Sequence, residues 1–273
     1  MSISFHSKGV FIMPNWVRNK LNVTGNQTEI QKLIETLQSE NGLVDFDRVC
    51  PMPDGIRETA EWDSGYGNRI AYEGDSQKQA IIGEFLVTSQ STFLKEDVTL
   101  RHLFFTRFEG QKRRLKNESL IRRFLEEQDK GFSIEERAEA RKKAVQYFIN
   151  YRRYGFPDWY GWRVANWGTK WNAGDASCVT DGNGQALFTF MTAWSAPLPI
   201  IEKIAKNFPT LSFHLLYADE DYGNGAGYAF FQKGELKTRV DFEHGSEEAW
   251  GAATEVWELD EETVEELQGG EGA

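Results

Sequence analysis

The chain has 273 residues, 40% of them hydrophobic and 14% aromatic, enough for a packed core and too apolar for a disordered chain. No apolar run approaches the roughly 18–20 residues that span a bilayer, and "GVFIM" is too short for a signal-peptide h-region, so a cytosolic protein with reduced thiols at Cys50 and Cys178 is expected. The net charge of −11 is segregated: residues 247–273 hold ten Asp/Glu and no Lys/Arg, while residues 101–153 hold 15 Lys/Arg against 8 Asp/Glu.

Residues 1–12 read as an N-terminal extension, with patterned sequence beginning at Met13. "NWVRNKLNVTG" then alternates, with Val17, Leu21 and Val23 on one side and Trp16, Arg18 and Lys20 on the other, which predicts a strand. Asn26 is an N-cap candidate with Glu29 in capping-box position, and Ile30, Leu33, Ile34 and Leu37 follow at helical spacing. The same unit recurs late. "ASCVT" and "QALFTFMTAW" are two strands joined by Asp181-Gly182-Asn183-Gly184, a strong hairpin signal. Pro197 and Pro199 open a helix carrying Ile201, Ile204, Ala205 and Phe208. "LSFHLLYA" returns as a strand with Leu211, Phe213, Leu215 and Tyr217 on one face, and "GYAFFQ" and "LKTRVDF" form a further hairpin about Lys233-Gly234.

Between these units lies an excursion. It carries helical patterns at Ser76 to Leu86, near 112–128, and from Ser133 to about Tyr154. Without it the order is βαββαβ, the split βαβ or ferredoxin-like arrangement. The expectation is therefore an α+β protein. A discontinuous ferredoxin-like domain takes residues 13–50 and 165–245, a helical lobe is inserted over 51–164, and an acidic tail follows over 246–273. Two helices cover one sheet face, and the inserted lobe is expected to cover the other.

"MPNWVRNKLNVTG", "VDFDRVCPMP", "NWGTKWNA" and "FPTLSFHLLYADED" occur in the same order as in the Api92-like family, which includes YubB-like proteins, and the chain resembles that family over about residues 13–235. The resemblance implies a ferredoxin-like domain and an accessory protein of phages and plasmids, acting in the cytoplasm of a bacterial host. It implies no catalytic residue, because the family carries no assigned activity.

Several constellations admit two readings. "WYGWRVANWGTKWNA" packs Trp159, Trp162, Trp167 and Trp171 into thirteen positions. Indoles there either seal the seam where lobe and sheet meet or form a stacking or hot-spot surface. The seam is the preferred reading, with Trp159 expected to be the most exposed. Together with Trp250 and Trp257 in the tail, Trp159 and Trp162 are the candidate partner-binding residues. Arg113, Arg114, Arg122, Arg123, Lys142, Lys143, Arg152 and Arg153, mixed with Tyr and Phe, suit phosphate contacts and stacking, or equally a solvated helix face. "GYAFFQ" matches half of an RNA-recognition signature but falls after the fourth core strand, where stacking residues do not belong.

No histidine lies in a metal or triad pattern, and "DEDYGNG" lacks the spacing of a calcium loop. Cys50 has no base near it in sequence. No cofactor or metal is therefore expected, and an enzyme is disfavoured. The leading expectation is a non-enzymatic protein that binds a host macromolecule, with a host defence or nucleic-acid-processing protein as target. The alternative is direct nucleic-acid binding by the basic helices. Oligomeric state and partner identity stay open.

Overall fold

A computed structural model of the chain describes residues 15–57 and 153–270, with Thr59, Ser133, Glu135, Gln146 and 149–151 besides. The chain forms two compact units, one of Met1–Pro51 with Arg163–Ala273, the other of Met52–Trp162.

The first unit is built on a six-stranded antiparallel sheet in the order β2-β3-β1-β4-β5-β6. Its strands are β1 (Trp16–Thr24), β2 (Gly174–Thr180), β3 (Gln185–Ala193), β4 (Ser212–Asp219), β5 (Gly227–Gln232) and β6 (Glu235–Asp241). β1 lies in the middle and pairs along its length with β3, from Trp16 opposite Ala193 to Thr24 opposite Gln185. On its other side it pairs with β4, Leu21 facing Leu215 and Val23 facing Phe213. The expected turns are present. Lys233 and Gly234 both take positive φ, 56° and 76°, as a two-residue hairpin requires.

Helices α1 (Gln27–Leu37) and α5 (Leu198–Asn207) pack on one face. Between them in sequence come α2 (Phe46–Val49), α3 (Asp54–Arg57) and α4 (Trp159–Asn166). The Asn26 side chain caps α1 by accepting from the Thr28 amide at 2.8 Å. Glu29 does not close the anticipated capping box; its carboxylate pairs with Lys32 at 2.7 Å, one turn further on. Ile30, Leu33 and Leu37 of α1, and Ile200, Ile201 and Ile204 of α5, are buried with Val17, Leu21, Val23, Phe188, Phe190, Phe213 and Leu215 of the sheet. Each such side chain contributes about 1.5–3 kcal/mol of transfer free energy, so this layer is the main source of stability.

The opposite face is covered by an element that sequence reading assigned to the tail. Helix α6 (Glu247–Trp257) is capped by Ser246, whose Oγ accepts from the Ala249 amide at 3.1 Å. Ala249, Ala252, Ala253 and Val256 are buried in one cluster with Ala218 and Ala226, and Leu216, Tyr222, Phe242 and Trp257 pack around it. Small side chains let the helix lie close on the strands. Lys20 and Arg18 of β1 reach Glu255 at 2.9 Å and Glu258 at 3.9 Å. The expectation that the inserted lobe covers this face is thus corrected over β1 and β4. The acidic charges line the outside of a packed helix, and α7 (Glu261–Gly270) follows it.

In the second unit the described part of the helix foreseen from Ser133 is helical at Glu135, Gln146, 149–151 and 153–154. Asn150 is fully buried there and donates to the carbonyls of Gly55 and Pro157 at 2.7 and 3.1 Å. The patterns at Ser76 to Leu86 and near 112–128 lie outside the described residues.

Candidate functional site

The segment 166–173, NWGTKWNA, has a structural task at nearly every position. Trp167 is 1% exposed, meets the Phe46 ring edge-on at 6.0 Å, and donates its indole N–H to the Cys50 carbonyl at 3.0 Å. Gly168 has φ of +86°, and a Cβ there would stand 2.4 Å from Pro199 Cδ, so only glycine fits. Thr169 is fully buried; its Oγ1 donates to the Ala193 carbonyl at 2.9 Å and accepts from the Ala193 amide at 3.1 Å, which ties the segment to the end of β3. Lys170 lies over the Trp171 ring, which packs against Trp16 at 5.7 Å. Asn172 accepts from the Phe46 amide at 2.8 Å and donates to Asp45 Oδ1 at 2.6 Å.

Asp45, only 2% exposed, is the other half of this clamp. Burial pushes its carboxyl up, but hydrogen bonds from Ser39, Asn172, the Asp47 amide and Asn41 outweigh burial and hold it below the usual aspartate value. "VDFDRVC" and "NWGTKWN", whose bonded residues lie 126 and 127 positions apart in the chain, are therefore one hydrogen-bonded structure. These two segments are polar and aromatic because they fasten each other, and they leave little free to contact a partner.

What faces outward is different. On the sheet face away from α1 and α5, beyond the end that α6 covers, β1 shows Asn22 and Thr24, β3 shows Leu187 and Thr189, β4 shows His214, β5 shows Tyr228 and Phe230, and β6 shows Thr238 and Val240. His214 is exposed, and its ring lies 5.6 Å from that of Tyr228 and 6.4 Å from that of Phe230. Tyr228 continues to Phe242 at 5.9 Å, at the edge of the α6 cluster. None of these side chains is an acid, a lysine or an arginine. Sequence reading missed this cluster. Its signal was present, since His214, Tyr228 and Phe230 are the out-facing positions of two alternating strands, but only the register of β4 on β5 makes them neighbours.

The anticipated partner-binding tryptophans fall elsewhere. Trp162 is 6% exposed, and Trp159, half-buried, donates its backbone N–H to Thr59 Oγ1 at 3.2 Å. Trp257 shares its indole N–H between the carbonyls of Ala218 and Asp219 at 3.2 and 3.1 Å, and Trp250 lies over Gly223. The two tail tryptophans thus fix α6 to its own sheet. Of the basic candidates, Arg153 is exposed, 5.9 Å over Tyr154. Arg113, Arg114, Arg122, Arg123, Lys142, Lys143 and Arg152 lie outside the described residues. Among the described residues no group of three or more His, Cys, Asp or Glu is placed to hold a metal, and no helix is long and apolar enough to cross a membrane.

The strand order, with two helices on one face, defines the first unit as a ferredoxin-like α+β domain. Residues 166–260 match the family described as the ferredoxin-like domain in Api92-like protein. The match runs to the end of α6, so α6 is a part of the domain. The crystal structure of a protein api92 from Yersinia pseudotuberculosis is similar at 11% sequence identity and a TM-score of 0.38, covering 85% of this chain and 99% of that one. No curated protein matches the chain.

Proposed function

We propose that the protein acts by binding a macromolecular partner, a protein of the bacterial host, through the part of the sheet face that α6 leaves uncovered. One observation supports this reading: His214, Tyr228 and Phe230 form a continuous aromatic surface on rigid strands, surrounded by Asn22, Thr24, Thr238 and Val240 and lacking formal charge. Aromatic enrichment and depletion of charge mark the cores of protein interfaces. Anchors on a rigid sheet lose little conformational entropy on binding. Such a role suits an accessory protein of a mobile element, whose product meets host proteins.

The test compares captures from host lysate by the tagged full-length protein and by its His214→Glu and Phe230→Ala variants, with and without nuclease. A stoichiometric protein retained after nuclease and lost from both variants, with circular dichroism unchanged, supports the reading. A protein held equally by all three overturns it for this face. Recovery of nuclease-sensitive material alone moves the function to the basic segment around Arg113, Arg114, Arg122 and Arg123.

A further inference from the structure

A second site lies away from the open face, where three distant segments converge. Cys50 closes α2, its backbone N–H bonded to the Phe46 carbonyl at 2.9 Å and its carbonyl held by the Trp167 indole at 3.0 Å. Its backbone is thereby pinned on both sides, and its thiol is half-buried. The Nζ of Lys203, on α5, lies 3.0 Å from Cys50 Sγ and donates to Asn166 Oδ1 at 2.8 Å. Among the described residues no carboxylate pairs with Lys203, whereas Lys206, one turn further, is paired with Glu202 at 2.6 Å. Lys203 is itself half-buried, and its two contacts, to Cys50 and Asn166, place the amine against sulfur.

We propose that Cys50 and Lys203 are an oxidation-dependent cross-linking pair, joined by a sulfur–nitrogen bond when hydrogen peroxide reaches the thiol. In the first step peroxide oxidises the Cys50 thiol to a sulfenic acid and is reduced to water, one oxygen passing to sulfur and the thiol proton leaving with the water formed. In the second, the Lys203 amine in its neutral form attacks that sulfur. The S–O bond breaks, the S–N bond forms, and hydroxide leaves with the proton shed by nitrogen as a second water. The product is a sulfenamide lacking two hydrogens relative to the reduced pair. Two equivalents of a small thiol restore it, returning thiol and amine and forming one disulfide. Because amine and sulfur already stand in contact, the second step is intramolecular and outpaces further oxidation by peroxide from solution. Asn166 holds the nitrogen in place, which gives the first residue of the NWGTKWNA segment a role that packing alone does not require.

The experiment uses the full-length protein, treated with a small excess of hydrogen peroxide, quenched by alkylation, digested and analysed by mass spectrometry. The expected product is a linked pair of peptides, one containing Cys50 and the other Lys203, two hydrogens lighter than their sum and abolished by dithiothreitol. Lys203→Arg, which keeps the charge and reach, should lose the link and instead leave Cys50 trapped as the dimedone adduct of its sulfenic acid. Cys178 serves as the internal control, since burial pushes its thiol up and no lysine adjoins it in the described structure. The proposal is overturned if wild-type Cys50 stays a thiol while Cys178 reacts, if it proceeds to sulfinic or sulfonic acid without a link, or if it links to other lysines as readily as to Lys203.

Discussion

Trp167 carries more of the fold than any other single side chain in its segment, because it is both a core residue and the donor that closes α2. Trp167→Phe keeps most of the ring contact with Phe46 but leaves the Cys50 carbonyl without its indole partner. The expected loss is about 1–3 kcal/mol, measured as a lower urea midpoint with unchanged slope. Asp45 makes the clamp sensitive to pH. Its folded value lies below its unfolded value, so its contribution is present above the unfolded aspartate value of about 3.9 and is lost as pH falls through the folded one. Denaturation midpoints from pH 7 to pH 3 should therefore fall less steeply in Asp45→Asn than in the wild type, while the variant is less stable at pH 7. An equal slope in both would remove Asp45 as a source of acid sensitivity.

Helices α1 and α5 were legible in the sequence because their large apolar residues recur at i, i+3, i+4 and i+7, and β1, β3 and β4 because they alternate. Helix α6 was not. Its buried face is made mostly of alanines, Ala249, Ala252 and Ala253 beside Val256, which give a weak apolar signal, and its outer face carries the charge that dominates the composition. Close approach is what those alanines provide, so Ala253→Leu should destabilise the protein by about 1–3 kcal/mol through overpacking, seen as a lower melting temperature. Glu258 ends α6 with φ of 59° and ψ of 43°, a left-handed conformation that costs a side-chain residue about 1–2 kcal/mol. Its ion pair with Arg18 is long, at 3.9 Å, and its own carboxylate is mostly exposed, which makes the pair worth little. Glu258→Gly should accordingly raise the melting temperature, and a fall would show that the Arg18 contact outweighs the backbone strain. The aromatic surface was illegible for another reason: it consists of cross-strand neighbours, and register is a property of paired strands.

For the whole molecule, the charge distribution separates the two functional readings. A partner bound on the open face meets side chains without formal charge, so its affinity should change little with ionic strength. Nucleic acid held by about six to ten phosphate contacts would lose roughly 10³–10⁵ in affinity between 50 and 200 mM salt. Titrating the purified partner at those two concentrations tells which surface is used. The ferredoxin-like domain itself is split in sequence, and its central strand is the part made first. β1 is complete at Thr24, but its first pairing strand, β3, begins at Gln185. At bacterial elongation rates of 5–20 residues per second, the roughly 160 residues between them take about 8–30 s to synthesise. Throughout that interval Val17, Leu21 and Val23 have no sheet to enter. Each nascent copy thus carries its central strand on the ribosome for many seconds before the first partner strand of the sheet exists.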